Sequence, residues 1–129
     1  MNLLDENIPS NQRQLLIGWG IRVHQVGLDA GRKGMKDDEI IPFLLQLRSP
    51  TFFTRDMGFA ERALCHRRYC LVCMAVDKSE AAVFVRRVLR HHEFDTQAKR
   101  MGTVISVSHR SLLVWRWQSE QRDVFAWVE

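Results

Sequence analysis

Short apolar runs alternate along the chain with stretches in which apolar residues recur at helical spacing, and this pattern predicts strand–helix units in succession. Leu3-Leu4 is a brief apolar entry that stops at Asp5-Glu6. Asn7 and Pro9 predict a helix start, since asparagine caps free amides and proline fits a first turn. Leu15, Leu16 and Trp19 share a helical stripe that Gly18 and Gly20 close. Residues 21–26 alternate loosely and are β-branched enough for a second strand. Residues 27–36, with three glycines and three basic side chains, read as an exposed loop.

A helix is expected from Asp37 or Asp38 through Ile40, Ile41, Leu44, Leu45 and as far as Leu47, with Pro42 tolerable only in or near its first turn. Thr51-Phe52-Phe53-Thr54 reads as a buried strand ending at Arg55-Asp56, and residues 60–68 as a short helix. Residues 69–76 are nearly all apolar, as a parallel strand covered on both faces must be. Ser79 is the expected cap of the strongest helix, where Val85, Val88 and Leu89 align up to His91-His92. Residues 103–107 and 111–117 close as a hairpin turning at His109-Arg110. The order predicts an α/β domain, a mainly parallel sheet flanked by helices with a C-terminal hairpin, over residues 1–118. Residues 119–129 form an extension whose Phe125, Trp127 and Val128 must dock on this domain or on a neighbour, a second copy included.

At 129 residues, 46% hydrophobic and 26% charged, the chain suits one folded domain and not a disordered one. No apolar stretch approaches membrane-spanning length, and the acidic N-terminus does not read as a signal peptide. Three closely spaced cysteines are a poor disulfide framework, so a reducing cytoplasm is the expected setting. A net charge of +4 favours an acidic partner, nucleic acid or protein.

In an open parallel sheet, ligands bind beyond the carboxyl ends of the strands. Asp5 and Glu6 follow the first predicted strand, Asp56 follows the third, and Asp37-Asp38 open a helix between them. Carboxylates so placed suit a hard divalent cation, which activates water and offsets charge on a reacting phosphate. Each also has a plainer role: Asp37 or Asp38 as helix cap, Asp56 as a turn residue before Gly58, Glu6 as a solvated side chain. Asp5, after an apolar strand, is hardest to explain that way.

Leu3-Leu4-Asp5-Glu6-Asn7-Ile8-Pro9 resembles the LLDEN-x-P opening of a family of short PIN-like proteins, relatives of the VapC toxin ribonucleases. Asp37-Asp38-Glu39-Ile40-Ile41 is similar to that family's D-E-E-I-L helix start, and Thr54-Arg55-Asp56-Met57-Gly58-Phe59 to its T-x-D-x-D-F strand end. The region from Thr103 to Arg116 is similar to the family's closing hairpin, so the likeness spans most of the chain. The resemblance implies a PIN-like three-layer fold and a Mg²⁺ or Mn²⁺ site on Asp5, Asp37 and Asp56. It makes Thr54 the neighbouring hydroxyl and Glu6 and Asp38 second-tier acids. Gly58 stands where the family has a further aspartate, which puts turnover in question; Glu61, one helical turn on, is the candidate substitute.

Arg32, Lys33, Lys36, Arg55, Arg67 and Arg68 are candidate cations for a nucleic-acid backbone, each also explicable as solvated surface, while Arg86-Arg87 and Lys99-Arg100 read as ordinary exposed faces. Cys65, His66, Cys70 and Cys73 suggest zinc, but an odd separation in a strand sends Cys70 and Cys73 to opposite faces, so buried free thiols are expected. His91-His92 ends a helix, and His24 and His109 have no evident nucleophile beside them. Two functions follow. One is a metal-dependent ribonuclease, the toxin of a toxin–antitoxin pair with an antitoxin as its partner. The other is a catalytically degenerate PIN-like module that binds RNA or a protein.

Overall fold

The computed structural model describes residues 1–127, so Val128 lies outside the described residues. Its seven strands form one sheet: β1 (Asn2–Leu4), β2 (His24–Gln25), β3 (Thr51–Thr54), β4 (Cys70–Met74), β5 (Thr103–Val107), β6 (Ser111–Arg116) and β7 (Arg122–Ala126). Their spatial order is β2-β1-β3-β4-β5-β6-β7. The first five run parallel, and β6 and β7 return antiparallel. Four helices accompany them: α1 (Ser10–Gly18), α2 (Asp37–Leu44), α3 (Ala81–Arg90) and the single turn α4 (Gln97–Arg100). The three-layer α/β architecture expected from the pattern is the one observed.

Alternation along the central strands divides the core in two. Leu4, Phe53, Cys70, Val72 and Ile105 face α1 and α3, with Leu16, Phe84, Val85 and Val88 packed over them. Leu3, Phe52, Leu71, Cys73 and Val104 face the other way, against Ile40 and Leu44 of α2. Cys70 and Cys73 therefore lie in different cores as free buried thiols. Burial pushes both up to about 12, which leaves them inert.

Several local expectations give way. Asn7 caps nothing; α1 starts behind Pro9, whose carbonyl receives the amides of Gln12 and Arg13. The second strand shrinks to two residues at the sheet edge. Pro42 is the sixth residue of α2, past its first turn, on an exposed side where water can meet the carbonyl it leaves unpaired. Residues 60–68 are not an α-helix: two 3-10 turns, Met57–Phe59 and Arg62–Leu64, flank an extended Glu61. The chain must travel back along the sheet here, and a 3-10 turn advances about 2.0 Å per residue against about 1.5 Å in an α-helix. Asp77 caps the turn before α3, accepting from the Ser79 amide, so Ser79 is the capped residue. Arg100 is buried, not exposed, because Thr51 Oγ1 (3.0 Å) and the Phe94 carbonyl (2.7 Å) receive its guanidinium. Residues 122–126 pair with β6, so the extension docks on its own domain. No helix among the described residues is long and apolar enough to cross a membrane.

Candidate acidic site

The chain passes from β1 to β2 on one side, then crosses to β3 on the other flank of β1. The crevice beyond the carboxyl ends of β1 and β3 is thus the switch point of the sheet, where side chains can be presented without a covering crossover. Asp5 leaves β1 there, its amide still bonded to the Phe53 carbonyl of β3 (2.9 Å). Thr54, fully buried at the end of β3, donates its hydroxyl to Asp5 Oδ2 (2.6 Å) and accepts the amide of Asp56 (2.9 Å). One hydroxyl fixes both the first acid and the backbone of the third. Asp56 Oδ1 accepts the Gly58 amide (2.8 Å), which orients its carboxylate over the 3-10 turn. Asp5, Asn7, Ile8, Arg55 and Asp56 line a cleft of about 300 Å³.

Asp37 arrives from the far end of the 27–36 loop, as the first residue of α2. Glu6 ties that loop down: both its carboxylate oxygens accept the Gly34 amide (2.8 and 3.0 Å). Gly27 is at φ +85°, and a Cβ there would stand 2.9 Å from Glu6 Oε2, so the chain needs glycine where the loop turns over this carboxylate.

Electrostatics join the three acids. Burial raises the Asp5 carboxyl above the ordinary range, and the charges of Asp56 and Glu6 add to this, while the Thr54 hydroxyl and the Glu6 amide partly oppose it. Asp37 is also raised, by desolvation, then by the charge of Asp56 and a side-chain hydrogen bond with it, then by Asp5 and Asp38. Like charges held together favour the neutral, protonated form unless a cation intervenes. The carboxylates are electrostatic neighbours, not a closed ligand set: among the described residues no three acidic, histidine or cysteine side chains stand together as metal ligands.

The other candidates fall in different places. Asp38 faces a separate groove with Arg32, Met35 and Phe43. Glu61 sits exposed before the second 3-10 turn. A Cβ at Gly58 would lie 3.0 Å from Asp56 Oδ1, so a larger residue there would crowd the carboxylate. Arg55 flanks the cleft and donates to the Val76 carbonyl (2.9 Å), Arg32 pairs with Glu39, and Lys33 lines a pocket with Glu6 and Arg13. Lys36 immediately precedes Asp37. Arg67 and Arg68 precede β4 and so lie at the amino ends of the strands, away from the acids; Arg68 donates to the Leu45 carbonyl (2.7 Å). His24 pairs with Asp29 (3.1 Å) and His109 with Glu80 (2.8 Å).

Two residues at the site were not anticipated. Gln25 is buried at the end of β2, donating to the carbonyls of Asp5 (3.0 Å) and Ile8 (2.8 Å) and accepting from Arg13 (2.8 Å). A glutamine on the inward side of a strand pattern was the available signal. Asn7, free of capping, opens onto the cleft. No family model, curated protein or solved structure matches the chain.

Proposed function

We propose that the chain is a metal-dependent ribonuclease of the PIN type, working at the crevice between β1 and β3. The observation that carries this reading is the joining of Asp5 and the Asp56 backbone through one Thr54 hydroxyl, with Asp37 raised by desolvation and by the charges of both acids, three acids drawn from segments far apart in sequence. The donor set fits a hard cation: carboxylate oxygens, no sulfur, and excess negative charge for a cation to offset. Asp5, Asp37 and Asp56 would hold Mg²⁺ or Mn²⁺, which supplies an activated water and a counter-charge for the phosphate. Thr54 holds Asp5 at a fixed angle and ties it to Asp56. Arg55, Lys33 and Lys36 lie on the same side as the acids and would seat the RNA backbone, a role that Arg67 and Arg68 are placed too far away to share. The sequence resemblance extends the reading to the toxin of a toxin–antitoxin pair.

Incubation of folded protein with several RNAs and Mn²⁺ or Mg²⁺ tests this. Cleavage abolished by Asp5→Asn and by chelation is the expected result; cleavage no greater than that of Asp5→Asn removes the enzyme reading. The open ligand set and the glycine at position 58 favour a second reading, a module that binds RNA without cutting it. That reading requires affinity unaffected by chelators.

A further inference from the structure

The second half of α3 and the residue after β7 wall a separate cleft of about 420 Å³, lined by Arg86, Arg87, Arg90, His91, His92 and Trp127. It shares no residue with the acidic crevice. Aromatic rings hold two of its guanidinium groups: Arg86 lies 3.8 Å from the Trp19 ring centre, and Arg87 lies 4.2 Å from that of Trp127. Among the described residues, no carboxylate forms an ion pair with Arg86 or Arg90. Among the described residues, Glu93 is the carboxylate paired with these histidines, 3.6 Å from His92.

His91 supplies an independent sign of a ligand. It is 8% exposed, and its Nδ1 accepts the Glu93 amide (3.1 Å). The neutral ring must then carry its hydrogen on Nε2, and this buried donor has no partner among the described residues. Burial, with His92 alongside, holds the imidazole below its ordinary value, which keeps it in that neutral form. Buried donors are rarely left without an acceptor. A water molecule would meet the hydrogen bond but would leave the charges of Arg86 and Arg90 unanswered.

We propose that this cleft is a phosphate-binding site, with Arg86 and Arg90 facing the charge and His91 Nε2–H supplying a directed hydrogen bond. A phosphate group offers several acceptor oxygens and up to two charges, matching forked guanidinium donors and one fixed N–H better than a carboxylate does. The group could belong to a small phosphorylated molecule or to an RNA strand.

The test is a titration of the full-length ¹⁵N-labelled protein with inorganic phosphate at constant ionic strength, following the His91 ring nitrogens by NMR, with acetate as control. A saturable shift of His91 Nε2 with phosphate, absent with acetate, is expected. Arg90→Ala, at an exposed position, and Arg86→Ala should each weaken binding at least tenfold, whereas Asp5→Asn should not alter it. Competition by a short RNA without a terminal phosphate assigns the site to a strand backbone, and its failure assigns it to a small phosphorylated ligand; either supports the site. A silent His91, an equal response to acetate, or unchanged affinity in both arginine variants overturns it.

Discussion

Thr54 shares one hydroxyl between two partners, donating a hydrogen bond to Asp5 and accepting one from the amide of Asp56. Thr54→Val keeps shape and removes both bonds, so metal affinity or cleavage should fall about 10–100-fold while Thr54→Ser retains most of it. Mn²⁺ titration of the two variants checks this. Asp5 makes a prediction of the opposite kind for stability. Its folded carboxyl is raised, so the folded state binds the proton more tightly than the unfolded chain does. Its contribution is fully present below the unfolded carboxylate value, near 4, and is lost as pH rises through the higher folded value. Asp5→Asn should therefore be at least as stable as the natural chain at pH 7, and its relative advantage should shrink towards pH 4, as urea unfolding at both values will show. Loss of stability in Asp5→Asn at pH 7 contradicts that. At this scale the sequence was informative where an acid follows an apolar run, which picked out Asp5 and Asp56. It was silent on Gln25 and Asn7, whose roles depend on which carbonyls and which cleft the fold brings beside them.

Loop 27–36 shows how an element places a residue it does not contain. Its only sequence signature was glycine and positive charge, yet its anchoring by Glu6 precedes the arrival of Asp37. Gly27 and Gly34 both have positive φ, but only at Gly27 would a Cβ meet Glu6; at Gly34 there is open space. Gly34→Ala should cost about 1 kcal/mol for the backbone alone, and Gly27→Ala clearly more, with weaker metal binding besides. Equal losses in denaturant titration would count against the anchor. Strands β3 to β6 were legible because continuous or alternating apolar runs leave few other options. The 57–64 segment was not, since two 3-10 turns and a helix have similar apolar content and only the distance to be spanned separates them.

Across the whole molecule, strand order decides what the acids can do. Placement of β1 between β2 and β3 creates the crevice, and no local pattern dictates that order. Strand direction likewise separates Arg55, at a carboxyl end, from Arg67 and Arg68 at an amino end, although all three looked alike in sequence. At the opposite edge, β7 covers β6, Phe125 packs on Phe94 (6.0 Å between rings), and Trp127 Nε1 donates to the Ser108 carbonyl (2.7 Å). A chain ending at Gln118 should lose at least about 2 kcal/mol, a fall of roughly 6–10 °C in thermal midpoint, and should associate through the bared β6 edge. An unchanged midpoint by calorimetry would show β7 to be dispensable. The central claim is that residues 5, 37 and 56 serve one cation, and paramagnetic broadening by substoichiometric Mn²⁺ tests it most directly. Amide signals around Asp5, Asp37 and Asp56 should vanish together, ahead of the rest of the spectrum, and should survive in Asp5→Asn. Broadening that spares any one of the three segments, or is the same in the variant, contradicts the account.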